Sequence, residues 1–330
     1  MKVAVVILNW NGRALLEQFL PSVVENSQEA VVYVADNASE DDSIAFLRKQ
    51  FPQVKIIQNS ENGGFAKGYN DALPQVPEEI FVLLNSDVEV TPGWLQPMLT
   101  ALEKSPETAA VQPKILNWRK KAFFEYAGAA GGFIDRLGYP YCRGRIFDTL
   151  EEDREQYDEN RDIFWATGAC MMIRKNDFFE AGGFDEDFFA HQEEIDLCWR
   201  LFNKGRKVQA VGGSKVYHLG GATLNSMHPR KTFYNFRNSL YTLFKNVPGK
   251  KVYFLLFARL ILDGLAGMKF LAEGKAAHFV AVLKAHFSFY SHFGLFMKKR
   301  KNLLKRRKYY DQTSVVVAYY LKRKTKFNDL

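Results

Sequence analysis

Asp87 ends the tetrapeptide Leu84-Asn85-Ser86-Asp87 at the tip of a continuously apolar run, residues 80–84. Such a run reads as a strand buried on both faces of a parallel sheet. Open α/β sheets collect ligands at the carboxyl ends of their strands. Asp87, beside Asn85 and Ser86, therefore stands where a divalent cation and a phosphate can be held. His218 ends a second strand-like run, 207–218, next to the pair Gly220-Gly221. Imidazole is a common ligand for ions such as Mn²⁺, so His218 could complete a site with Asp87.

The stretch Glu193-Glu194-Ile195-Asp196-Leu197-Cys198-Trp199-Arg200 packs ionisable groups into a helix start. Acidic residues in a first turn can simply complement the helix dipole. Upstream, however, Gly168-Ala169-Cys170 and Gly182-Gly183-Phe184-Asp185 supply small and apolar walls suited to a pocket. Asp196 and Arg200, at i and i+4, are expected to form a structural ion pair. That leaves Glu193 and Glu194, adjacent carboxylates that raise each other's proton affinity, as general bases working near neutral pH. Two more polar clusters follow strand-like runs. Asp36-Asn37-Ala38-Ser39 is either a helix-capping cluster or a carboxylate that accepts a hydrogen bond from a nucleobase N–H. Asn62-Gly63-Gly64-Phe65, continuing to Asn70, is either a capped Gly-rich loop or backbone that glycine lets approach a ligand closely.

The elements that must position these residues alternate. Strands are predicted over 2–8, 30–35, 54–58 and 80–84, with helices over 13–24, 41–50 and 64–73. That order means βαβ units and a mostly parallel sheet. The first run is read as a buried strand rather than a signal peptide, because Asn9-Trp10-Asn11-Gly12 interrupts it. Further strands are expected over 109–113, 166–174 and 207–218, with a helix over about 193–204. Residues 117–163 look irregular and are expected to form a long excursion or mobile loop. Three cysteines, Cys142, Cys170 and Cys198, lack C-x-x-C spacing. They argue against a disulfide framework or a zinc site and favour a reducing, cytoplasmic compartment.

The turn after the first strand lacks the G-x-G-x-x-G of a dinucleotide-binding fold, and no P-loop is present. Phosphate must be held another way, and a metal at Asp87 is the available one. Taken in order, the motifs resemble the inverting glycosyltransferases of family 2, with the GT-A fold, over about residues 1–225. The nearest likeness is to the rhamnosyltransferase-like subgroup that builds bacterial surface polysaccharides. The resemblance implies a UDP- or dTDP-sugar donor and a Mn²⁺ or Mg²⁺ ion bridging its diphosphate to Asp87. It places Leu8, Asn9, Asn11, Asp36, Asn37, Ser39, Asn62, Gly63, Gly64, Phe65, Asn70, Asn85 and Ser86 around the donor, with Asp36 at the base. The family usually carries Glu-Asp or Asp-Asp where this chain has Glu193-Glu194, with the second residue as base. The longer Glu194 shifts that carboxylate, so both remain candidates. Gly168, Asp185, Asp196 and Arg200 fall on the acceptor side or in structural roles. The implied domains are a catalytic one, 1–229, with a donor half to about 115 and an acceptor half beyond it, and a C-terminal region, 230–330.

Charge divides along the same line. Residues 230–330 hold 22 Lys and Arg against 4 Asp and Glu, whereas the rest holds 23 against 33. The apolar stretches 252–271 and 276–297 are interrupted by Arg259, Asp263, Lys269 and Lys284. Neither offers the run of about 18 uncharged residues a spanning helix needs. Eight of the eleven residues 298–308 are basic. Aromatic bulk beside a polybasic cluster is the pattern of peripheral docking on an anionic membrane, here the inner face of the cell membrane. A lipid-linked or oligosaccharide acceptor would be met there. Nucleic acid is the poorer partner, since the globule is acidic and no recognition motif accompanies the basic run. Two other classes fit the sequence less well. A nucleotidyltransferase would bring an Arg/Lys-bearing Gly-rich loop after the first strand, which is missing. A non-catalytic binder of anionic surfaces has no use for Asp87, Glu193 and Glu194.

Overall fold

A computed structural model describes residues 1–220, 228–301, 303, 306 and 308–330. The chain opens on β1 (Val3–Asn9), α1 (Arg13–Asn26), β2 (Ala30–Asp36), α2 (Ser43–Gln50), β3 (Lys55–Gln58), α3 (Gly64–Ala72) and β4 (Ile80–Asn85). The strands are apolar because helices cover both faces of the sheet. Along β1, Ala4 and Val6 enter one hydrophobic layer with Ala66, Tyr69 and Leu73 of the α3 side. Val3, Val5 and Ile7 enter the other, with Leu16, Leu20 and Val23 of α1.

After β5 (Val88–Val90), α4 (Leu95–Lys104) and β6 (Thr108–Asn117), four short strands follow: β7 (Gly132–Ile134), β8 (Pro140–Cys142), β9 (Arg145–Ile146) and β10 (Thr149–Leu150). Then come β11 (Arg161–Ile163), β12 (Cys170–Arg174), α5 (Lys175–Glu180), α6 (Glu193–Asn203) and β13 (Lys207–His218). Among the described residues the main sheet has nine strands in the order β11-β13-β6-β12-β4-β1-β2-β3, and β5 joins the far end of β13. β3, β2, β1 and β4 are parallel, as is the β6–β13 pair, and β12 inserts antiparallel between β4 and β6.

Two features of this sheet build the site. β5 begins directly after Asp87 and pairs antiparallel with β13, setting Val88 opposite His218. The register of β13 on β6 shifts between Val211 and Lys215, an irregularity in the strand that ends at His218.

Residues 117–163 depart from the expected irregular loop. β7 to β10 form a second, antiparallel four-stranded sheet, whose Phe133, Ile134, Tyr141, Cys142 and Ile146 are buried in the core. Strands of two or three residues are too short to show a period, so charge alone dominated that stretch of sequence. Likewise β6 runs to Asn117, past the expected 113, and β12 starts only at Cys170.

The C-terminal region is helical: α7 (Pro229–Asn246), α8 (Lys251–Ala272), α9 (Ala276–Ser291) and α10 (Phe293–Lys301). Its Leu240, Tyr241, Phe244, Phe289 and Phe296 belong to the same buried cluster as Phe178, Phe184 and Trp199. Gly221 and the basic-run positions 302, 304, 305 and 307 lie outside the described residues.

Candidate active site

The strand register brings Asp87 and His218 together. His218 Nε2 lies 3.1 Å from Asp87 Oδ1, and the Leu219 N–H donates to the Asp87 carbonyl at 3.0 Å. On its other side His218 Nδ1 lies 3.1 Å from Glu125 Oε2. The chain reaches Glu125 by folding back along β6, where the Glu125 N–H donates to the Ile115 carbonyl. Burial alone would lower the His218 pKa, but hydrogen bonds to the two carboxylates prevail and push it up to about 10. With no ion present the imidazole holds its Nε2 proton toward Asp87; a divalent ion would take that proton's place between Asp87 and His218, with Glu125 orienting the ring from behind and phosphate oxygens and water completing the set. Among the described residues no three His, Cys, Asp or Glu side chains form a ready-made metal cage, so such a site depends on ligand oxygens.

Around the donor side, polar groups at the ends of β1, β2 and β3 bind one another. Asn9 donates to Asp36 Oδ1 at 3.0 Å and to Ser39 Oγ at 3.2 Å. Asp36 also accepts from the Ser39 N–H and hydroxyl, leaving it 2% exposed. Asn11, with φ of 48°, receives the Glu40 N–H and itself donates to Ser39. Asn37 is a hub: its amide donates to Asn62 and the Gly64 carbonyl and accepts from Asn59. Gly64 holds φ of 80°, and a Cβ there would stand 2.5 Å from the Phe189 carbonyl. Only glycine permits that approach. Phe65 packs edge-on to Tyr69 and lies against Gly168.

That Phe189 carbonyl, bonded by the Phe65 N–H at 2.8 Å, opens the segment carrying the acids. Phe189, His191 and Gln192 all have φ between 64° and 74°, a conformation costing roughly 1–3 kcal/mol per non-glycine residue. Asn238 of α7 opposes the cost. Its buried amide donates to the carbonyls of Phe188 at 3.0 Å, Ala190 at 2.9 Å and His191 at 2.7 Å. The segment delivers Glu193 and Glu194 to the first turn of α6. Burial drives both carboxyls upward, and the charge of Glu194 raises Glu193 further. Backbone N–H groups at the helix start oppose burial at Glu194, leaving it at about 7. Neither Glu193 Oε2 nor Glu194 Oε2 has a partner among the described residues.

Similarity to known proteins fits this geometry. The profile described as Glycosyl transferase family 2 matches residues 4–179. The chain belongs to that family. It is 27% identical to the N-acetylglucosaminyl-diphospho-decaprenol L-rhamnosyltransferase of Mycobacterium tuberculosis over 65% of this chain and 75% of that protein. It is 24% identical to the O-antigen biosynthesis protein RfbC of Myxococcus xanthus over 67% of this chain but 18% of that one. The fold is shared with the mannosyltransferase PcManGT of Pyrobaculum calidifontis in complex with GDP-Man and Mn²⁺. The TM-score is 0.55, with 15% identity, over 88% of this chain and 87% of that one. It is shared also with GalNAc-T7 in complex with UDP, GalNAc and Mn²⁺. There the TM-score is 0.54, with 18% identity, over 66% of this chain and less than half, 43%, of that one.

Within this family 2 glycosyltransferase, Asn70, Asp185 and Asp196 bind other parts of the chain, and the Asp196–Arg200 pair has the expected i, i+4 geometry. The Asn70 amide pins both the N–H and the carbonyl of Phe184. Asp185 accepts from Lys245 at 2.5 Å and from Lys299. Asp196 pairs with Arg200 and Lys245, each at 2.8 Å, and with Asn246. Those cations hold the Asp196 carboxyl down at about 2 against its burial. Glu125, Asn59 and Asn238 were not singled out from the sequence. Each is one polar residue with no motif around it, given its role by a distant segment.

Proposed function

We propose that the protein is a metal-dependent, inverting glycosyltransferase. It moves a sugar from a UDP- or dTDP-sugar to a hydroxyl of a lipid-linked glycan at the inner face of the cell membrane. The observation carrying this reading is the meeting of Asp87 and His218, 131 residues apart, at the strand ends. Asp87 and His218 would hold a Mn²⁺ or Mg²⁺ ion, which when bound neutralises charge growing on the leaving diphosphate. Asn11, Ser39, Asn62, Asn85 and Ser86 border the donor nucleotide. Asp36, three of whose lone pairs are engaged within the chain, can offer a base N–H one more. Glu194, with Glu193 beside it, takes the proton of the acceptor hydroxyl as its oxygen attacks the anomeric carbon opposite the leaving group. The name of the mycobacterial relative supports an acceptor carried on a polyprenyl diphosphate, and the Mn²⁺ complexes of the structural neighbours support the ion.

Membrane docking is supported by an inverted amphipathicity in α8 and α9. The buried face of α8 carries Arg259 and Asp263, paired at 3.2 Å, and Asp263 also meets His286 of α9 and the Tyr139 hydroxyl. The outward face presents Phe254, Phe257, Ile261, Leu265 and Met268, joined by Phe287 of α9 at 74% exposure. Polar groups inside and aromatics outside suit a lipid interface rather than water. Among the described residues no helix is long and apolar enough to cross a membrane.

The test is consumption of a panel of UDP-, dTDP- and GDP-sugars with Mn²⁺, Mg²⁺ or chelator, with and without a lipid-linked acceptor. One donor should be consumed only with metal, releasing nucleoside diphosphate. Release of sugar 1-phosphate instead would favour a nucleotidyltransferase, and binding of no nucleotide would leave only the surface-binder reading.

A further inference from the structure

Cations from two C-terminal helices grip the segment that carries the acids. Lys299 of α10 donates to Asp187 at 2.6 Å and to Asp185. Lys245 of α7 donates to the other oxygen of Asp185 at 2.5 Å and to Asp196 at 2.8 Å. Arg200 meets the same Asp196 oxygen and donates on to the Gly183 carbonyl at 2.7 Å. Carboxylates and cations thus alternate in one chain, Asp187–Lys299–Asp185–Lys245–Asp196–Arg200. Its inner members are buried. Lys299 and Asp187, with side chains 28% and 39% exposed, form the open end.

This chain brackets the turn before the acids. Asp185 accepts from the Asp187 N–H at 3.3 Å, and its carbonyl accepts from the Phe188 N–H at 3.1 Å. Asp196 anchors the other side, its N–H donating to the Gln192 carbonyl at 2.9 Å. Between the two anchors run the left-handed residues Phe189, His191 and Gln192, then Glu193 and Glu194. Phe188 packs on Tyr241 of α7 and on Phe296 of α10, three residues before Lys299. Buried ion pairs are weak sources of stability, because desolvation offsets their attraction. Charge-assisted hydrogen bonds do fix direction, and a reacting group misplaced by an ångström can cost about a hundredfold in rate. We infer that Lys299 is a positioning residue for the proposed base: it holds Asp185 and Asp187 so that the turn after them delivers Glu193 and Glu194 to the acceptor. The inference rests on the glycosyl-transfer reading above. It gives the head of the basic run a task in catalysis that is separate from docking.

The experiment compares full-length wild type with Lys299→Met, Lys299→Arg and Asp187→Asn. Turnover is measured with donor and acceptor saturating, and nucleoside diphosphate affinity by calorimetry in Mn²⁺. Lys299→Met should lose roughly ten- to a hundredfold in turnover, with affinity within about twofold of wild type. Lys299→Arg, whose guanidinium can span two carboxylates, should regain most of that turnover. The rise of turnover through about pH 7 should stay in place, because burial and backbone N–H groups set the Glu194 carboxyl. Asp187→Asn alters only the exposed end, so it carries the test if Lys299→Met does not fold. It should lower turnover and spare affinity, and unchanged turnover in it overturns the positioning role. So does folded Lys299→Met with turnover within about twofold of wild type, an equal loss of turnover and affinity, or no recovery in Lys299→Arg. Hydrogen exchange of amides 188–196 needs no substrate and should quicken in Lys299→Met while β1 and β4 keep their protection; unchanged exchange also overturns the inference. A wild type that consumes no nucleotide sugar defeats the transfer reading instead, and the exchange result then reports on the grip by itself.

Discussion

At the scale of single residues, the site combines groups whose proton affinities are driven apart by their surroundings. With no ion bound, His218 is held cationic by Asp87 and Glu125, while Glu194 is raised by burial to about 7. Asp87→Ala and His218→Ala should each abolish the metal-dependent part of nucleoside diphosphate binding while leaving the thermal transition in place. Affinity that ignores both substitutions and chelator would remove the metal from this pair. Glu194 also leaves a mark on stability. A carboxyl with a higher pKa folded than unfolded binds its proton more tightly in the native state. Its contribution is full below the unfolded value and is lost as pH rises through about 7. Glu194→Gln should therefore unfold at a higher temperature than wild type at pH 8, with a smaller gap at pH 4. An equal gap at both, measured by circular dichroism melts, would mean that the carboxyl is not raised.

Elements show why parts of this were legible in the sequence and parts were not. β1, β2 and β4 announced themselves because strands covered on both faces are nearly continuous apolar runs. Asp87 could be singled out because it follows such a run, and His218 because it ends a strand-like one beside glycines. The α6 acids stood out by density, and the Asp196–Arg200 pair followed from helical spacing. β5 and β7 to β10 were hidden, since two or three residues carry no period. The segment 189–192 was hidden too, because its left-handed backbone is imposed by α3 and α7 rather than by glycines of its own. Asn238 is the sharpest case, one buried amide on a helix 44 residues beyond Glu194. Asn238→Ala would leave three carbonyls without that donor, costing about 1–3 kcal/mol of stability. Turnover should fall further than nucleotide affinity, since the segment carries the proposed base and not the proposed donor contacts. Equal losses in both, by steady-state kinetics and titration, would show that α7 supports only the fold.

For the whole molecule, the C-terminal helices contribute to the catalytic core and present an apolar face outward. A chain cut near Asn246 would strip Phe289 and Phe296 from that core, so surface substitutions are the cleaner probe. Full-length protein should float with anionic vesicles at low salt and less so at high salt. The triple variant Phe254→Ser, Phe257→Ser, Phe287→Ser should stay unbound at the same melting temperature. Undiminished flotation of that variant would move docking to the basic run or exclude the α8–α9 face.

The proposed function turns on one chemical step, proton removal from the acceptor as the sugar leaves its diphosphate. The pH dependence of turnover, with donor and acceptor saturating, tests that step most directly. Wild-type turnover should rise with pH through about 7 and level off as Glu194 ionises. Glu194→Gln should be slower by roughly 10²–10⁴-fold, with the rise lost and nucleoside diphosphate affinity unchanged. Near-normal turnover in both Glu194→Gln and Glu193→Gln, with the rise intact, would contradict acceptor activation by this pair.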